Sequence, residues 1–99
     1  MREKALPADV VAWVRSHFAE DTVDAALAVL ASASIHTGEF PSERLLRSAA
    51  LGSRGSLEKL QYYVGLLAID WRDVIVAGEY ENVDRKLVRV RDLNKPIPS

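Results

Sequence analysis

Apolar residues recur every three or four positions from Val10 to Ile75, the period of an α-helix, and residues that start or stop helices interrupt the recurrence at intervals. This pattern constrains the chain more than any other feature. It calls for several short amphipathic helices, none of which can stand alone and all of which must share a core. Ninety-nine residues, 48% of them hydrophobic, make one small domain with enough apolar mass for such a core. The expected fold class is therefore all-α, about five helices in a compact bundle.

The first helix is expected from Pro7 to Ala19. Pro7 suits a first helical position, Asp9 complements the helix dipole, and Val10, Val11, Val14 and Phe18 share one face. The second is expected from Thr22 to Ile35, with Asp21 as N-cap, Asp24 three residues later, and Thr37-Gly38 as its stop. Its many alanines let neighbours approach closely and point to a central, mostly buried element. The third runs from Ser42 or Pro41 to Leu51, with Leu45, Leu46, Ala49 and Ala50 inward, Glu43, Arg44, Arg47 and Ser48 outward, and Gly52 as terminator. It reads as a surface helix. The fourth spans Leu57 to Ile69 behind Ser56 and carries two apolar stripes, Leu57, Leu60, Tyr63, Val64 and Leu67 on one side and Tyr62, Leu66 and Ile69 on the other. It reads as central. The fifth spans Trp71 to Tyr80 behind Asp70, and Gly78 in its face suggests close approach of another backbone.

The pattern changes after Glu81. Residues 86–93 alternate in part and contain β-branched residues, so 82–99 reads as a C-terminal extended arm or short strand that must pack on the helices, pair with a partner or stay loose. Pro96-Ile97-Pro98 closes it as an extended tail.

Thirteen basic and fourteen acidic residues leave a formal charge of -1, without the overall basic footprint of a dedicated nucleic-acid binder. The chain has no cysteine, which excludes disulfides, thiolate chemistry and Cys-containing zinc sites and suits a cytoplasmic location. Asp9 and Arg15 break the apolar run that follows Met1-Arg2-Glu3-Lys4, so it does not read as a secretory leader. No apolar window reaches the roughly 18 residues of a membrane span.

Catalytic signatures are missing. Ser16-His17 and Ser34-Ile35-His36 place hydroxyl and imidazole side by side, but neighbouring helical positions point apart and no third group orients them. His17, Glu20, Asp21 and Asp24 do not fix a coordination geometry, and capping accounts for both aspartates. No catalytic residue, metal or cofactor is expected. Gly52-Ser53-Arg54-Gly55-Ser56 opens a helix as an anion-binding loop would, but it lacks the spacing of the phosphate-binding motifs and reads as an inter-helix turn. A small-molecule site beside Trp13 or Trp71 is a weaker reading.

Two binding readings follow. The apolar surplus on the fourth and fifth helices, at Tyr62, Leu66, Val76 and Tyr80, points to contact with another protein or a second copy, with help from the C-terminal arm. The alternative is nucleic-acid binding: the third helix, the glycine turn and the fourth helix outline a helix-turn-helix with Arg44, Arg47, Arg54 and Lys59 around it. Few base-reading side chains accompany these four.

Leu57-Glu-Lys-Leu-Gln-Tyr-Tyr-Val, Asp70-Trp-Arg-Asp-Val-Ile and Gly78-Glu-Tyr-Glu, within residues 42–93, resemble a family of small uncharacterised bacterial proteins of about this length. The resemblance implies a bacterial cytosolic protein and carries no activity or site residue with it.

Overall fold

The computed structural model describes residues 6–97. Met1-Arg2-Glu3-Lys4 and Pro98 lie outside the described residues. Five α-helices and a two-stranded antiparallel sheet follow one another: α1 (Ala8–His17), a 3-10 turn (Glu20–Thr22), α2 (Val23–Ala31), α3 (Glu43–Ser53), α4 (Leu57–Leu67), α5 (Trp71–Glu79), β1 (Tyr80–Val83) and β2 (Lys86–Arg89). The fold is mostly α with a short C-terminal sheet. The Cα radius of gyration, 12.9 Å, matches the value of about 13 Å for a compact domain of this size.

Three caps form as their residue types dictate. The Ser42 hydroxyl accepts from the Leu45 N–H, the Ser56 hydroxyl from the Lys59 N–H, and the Asp70 carboxylate from the Arg72 N–H. At α2 the expected cap is replaced. Asp21 lies inside the 3-10 turn, and Thr22 precedes the helix without a side-chain cap. The helix also ends at Ala31, ahead of Ile35, and Gly38 instead takes a positive φ of 85° in the following turn. Gly52 does not terminate α3. The left-handed residue after Ser53 is Arg54, followed by Gly55 at φ 83°.

The core unites Val10, Val14 and Phe18 of the first segment with Leu30, Leu46, Leu60, Leu67 and Val74. Each fully buried leucine contributes about 2 kcal/mol. The helices are ranked differently from their wheels. α3 is the hub: it packs on α1, α4 and most extensively α5, and Arg47, Ser48, Gly52 and Ser53 are buried along with its leucines and alanines. α2 is peripheral, burying only Ala26 and Leu30 and exposing Ala25, Ala28 and Ala31. Alanine favours the helix and costs little when exposed, so an alanine-rich helix need not be central. On α4, the stripe with Leu60 and Leu67 faces the core. The second stripe divides: Leu66 leans on the core, while Tyr62 and Ile69 are exposed.

Gly78 sits where α5 crosses α3. A Cβ there would lie 2.5 Å from the Ser48 Cα and 2.7 Å from the Ser48 carbonyl oxygen, so the two helices approach at backbone contact.

Residues 86–89 pair with a strand that the periodicity had assigned to the end of the fifth helix and the start of the arm. The register is Tyr80↔Arg89, Glu81↔Val88, Asn82↔Leu87 and Val83↔Lys86. Asp84 and Arg85, at φ 50° and 66°, form the two-residue loop, with the positive angles that a type I′ hairpin turn requires.

Candidate interaction surface

The site is built from the end of α5. A glutamate at a helix C-terminus opposes the dipole, and Glu79 is also fully buried, so it needs strong compensation. Four donors supply it. Arg44 donates Nε to Oε2 and Nη2 to Oε1, both at 2.9 Å. Arg89 donates Nε to Oε1 at 2.9 Å, and the Leu93 N–H reaches Oε2 at 3.1 Å. Burial pushes the Glu79 carboxyl up, but Arg44, the Leu93 N–H and Arg89 together outweigh it and hold the group below its ordinary value. Arg89 also bonds Asp92 at 3.0 Å.

A second carboxylate lies on α1. Arg47 holds Asp9 in a two-point contact, Nε to Oδ2 at 2.8 Å and Nη2 to Oδ1 at 3.3 Å, and donates Nη1 to the Leu93 carbonyl at 3.3 Å. The Ile97 N–H donates to Asp9 Oδ2 at 3.0 Å. The hydrogen bond from Arg47 is the main reason that the Asp9 carboxyl is lowered. Leu93, itself buried, is thus tied through its N–H to Glu79 and through its carbonyl to Arg47. The chain after β2 forms a strap running back to α1. Among the described residues, no buried side-chain polar atom lacks a partner.

These contacts hold the hairpin in a fixed attitude on the helices. At its base the Val90 and Arg91 N–H groups both donate to the Glu79 carbonyl, at 2.8 and 3.4 Å, two residues facing one as in a β-bulge. Arg91 turns there to bond Glu81 at 2.6 Å and the Gly78 carbonyl. Beyond this base the hairpin is uncovered. Val83, Leu87, Val88 and Val90 are 46%, 56%, 41% and 43% exposed, and all of β2 faces solvent. Strand alternation puts Glu81, Val83, Lys86 and Val88 on one face and Tyr80, Asn82, Leu87 and Arg89 on the other.

Of the residues singled out for a protein interface, Tyr62 and Val76 are exposed on α4 and α5, Leu66 is partly taken by the core, and Tyr80 is half-buried at the start of β1. The helical stripe could not reveal the arm valines, because their exposure depends on a hairpin whose loop is Asp-Arg rather than the usual Asp-Gly. The basic residues divide as well. Arg54 and Lys59 are exposed, but Arg44 and Arg47 point inward to Glu79 and Asp9, contrary to the outward faces expected for them.

Trp71 borders a cleft of about 610 Å³ with Ile35, Ile75 and the two paired arginines. Trp13 borders one of about 290 Å³, and His17 stacks on its ring at 4.3 Å while donating Nδ1–H to the Trp13 carbonyl. Among the described residues no helix is long and apolar enough to cross a membrane. No family, curated protein or solved structure matches this chain.

Proposed function

We propose that this protein acts through protein–protein contact, as a homodimer or an adaptor, and that the C-terminal hairpin is its contact element. One observation carries the reading: four large apolar side chains stand exposed on a two-stranded hairpin that a buried ion network holds in one orientation. A two-stranded sheet with both faces wet is marginal by itself, and such apolar exposure marks an interaction site. A preset arm also loses little conformational freedom on binding.

We infer a binding rather than a catalytic role. The Glu79 and Asp9 carboxylates are committed to arginines and backbone N–H groups, which supports a structural use for them. The nucleic-acid alternative loses support from Arg44 and Arg47, whose charges are balanced inside the fold. We propose a cytoplasmic location, with which the absence of cysteine is in keeping.

The test is a photo-crosslinking amino acid placed in the native cell at Leu87 or at Val88, one on each face of the hairpin, with Glu58, exposed on α4, as the control position. A covalent protein adduct from position 87 or 88 and none from 58 is expected. Absence of an adduct at both 87 and 88 would refute the reading.

A further inference from the structure

The exposed face of the hairpin that carries Val88 has a definite order of charges. Val88 lies across from Glu81 at the base end, Val83 lies across from Lys86 at the tip end, and Val90 follows Val88 toward the bulge. Glu81 sits at the base end on β1, and Lys86 sits at the tip end on β2. Glu81 uses one carboxylate oxygen on Arg91, and Lys86 makes no ion pair with the described residues. A face that sets an acid beside a valine at one end and a base beside a valine at the other is self-complementary when reversed, as a two-fold interface requires.

We propose that the partner on this face is a second copy of the chain. The two hairpins stack face to face, about 10 Å apart, with strand directions reversed. Each Lys86 then lies over the base end of the other hairpin, beside the partner copy's glutamate, and the valines of both copies are buried between. Edge-to-edge pairing of two β2 strands is the poorer arrangement, since it gathers Arg85, Lys86, Arg89 and Arg91 of both copies along one seam. Three half-exposed valines per copy cover far less than the roughly 800 Å² per partner of a standard interface, so the dimer is weak, with dissociation in the micromolar range or above.

This assignment rests on the contact reading above, and sedimentation equilibrium separates the two. The intact wild-type chain is expected to move from monomer toward dimer as its concentration rises through the high micromolar range. Lys86→Glu and Glu81→Lys are each expected to weaken association about tenfold, because each sets like charges against each other at both ends. An equimolar mixture of the two variants is expected to recover a heterodimer, since the exchanged charges again meet their opposites. Val88→Arg, which leaves both charges in place, is expected to be monomeric. Circular dichroism verifies folding, and Lys86, exposed and unpaired with the described residues, can be reversed without disturbing an ion pair in the fold. A wild-type chain that stays monomeric throughout overturns the proposal, as does a mixture that fails to recover association. If the wild type is monomeric but position 87 or 88 crosslinks to a different protein, contact by the arm stands and self-association falls. If it is monomeric and nothing crosslinks, both fall.

Discussion

Glu79 concentrates the electrostatics of this fold in one side chain. Breaking a buried ion pair costs about 3–5 kcal/mol, but Arg44 and Arg89 retain water contact and can rehydrate when the carboxylate is lost. Glu79→Gln is therefore expected to destabilise the protein by about 2 kcal/mol, measured by urea unfolding at neutral pH. Its pH dependence has a definite sign. Glu79 and Asp9 lie below their ordinary values of 4.5 and 3.8, so each stabilises the fold above those values and loses that contribution as pH falls through the still lower folded value. Wild-type stability is expected to drop as pH goes below 4.5, and the slope is expected to be shallower in Glu79→Gln. A second residue-scale expectation concerns Arg85, which holds a left-handed φ of 66° that favours glycine. Arg85→Gly should stabilise the hairpin by about 1 kcal/mol, read as slower amide exchange in β1 and β2. Little at this scale was legible in the sequence: Glu79 reads as the last polar residue of a helix, and its partners lie 35, 10 and 14 positions away.

At the scale of elements, the starts of α3, α4 and α5 were legible because Ser42, Ser56 and Asp70 bond N–H groups two or three residues ahead. The order of burial was not. A helical wheel shows which side of a helix is apolar, but it cannot show that Arg47 and Ser48 on the polar side of α3 meet Asp9 and the backbone of α5. Two glycines make the distinction measurable. Within a helix, Gly→Ala gains about 1 kcal/mol from propensity alone. Gly65 of α4 has nothing within 4 Å of an added Cβ, so Gly65→Ala should raise stability by about that amount. Gly78→Ala should do the opposite, since α3 must move for its methyl to fit. A loss of about 2 kcal/mol or more is expected, and thermal melts of the two variants should shift in opposite directions.

Over the whole molecule, the strap joins the two ends of the described chain, with Ile97 bonded to Asp9 across 88 positions. Leu93 is its buried anchor, so Leu93→Ala should cost about 3 kcal/mol and lower the melting temperature by more than about 10 °C. Because the anchor touches both ion networks, far-ultraviolet circular dichroism should show the helices melting earlier as a unit. Loss of the hairpin alone, with the helices unchanged, would contradict that linkage. The sequence by itself determined that the chain is helical from α1 to α5, where most helices begin, and that its last part is extended. Those features arise from periodicity and from caps, which act within a few residues. Tertiary structure alone decided that α3 is central and α2 peripheral, that residues 80–83 pair with 86–89, and that the valines of this hairpin face solvent. Each of those outcomes depends on contacts such as Arg44–Glu79 and Arg47–Asp9, 35 and 38 positions apart, which local spacing cannot encode.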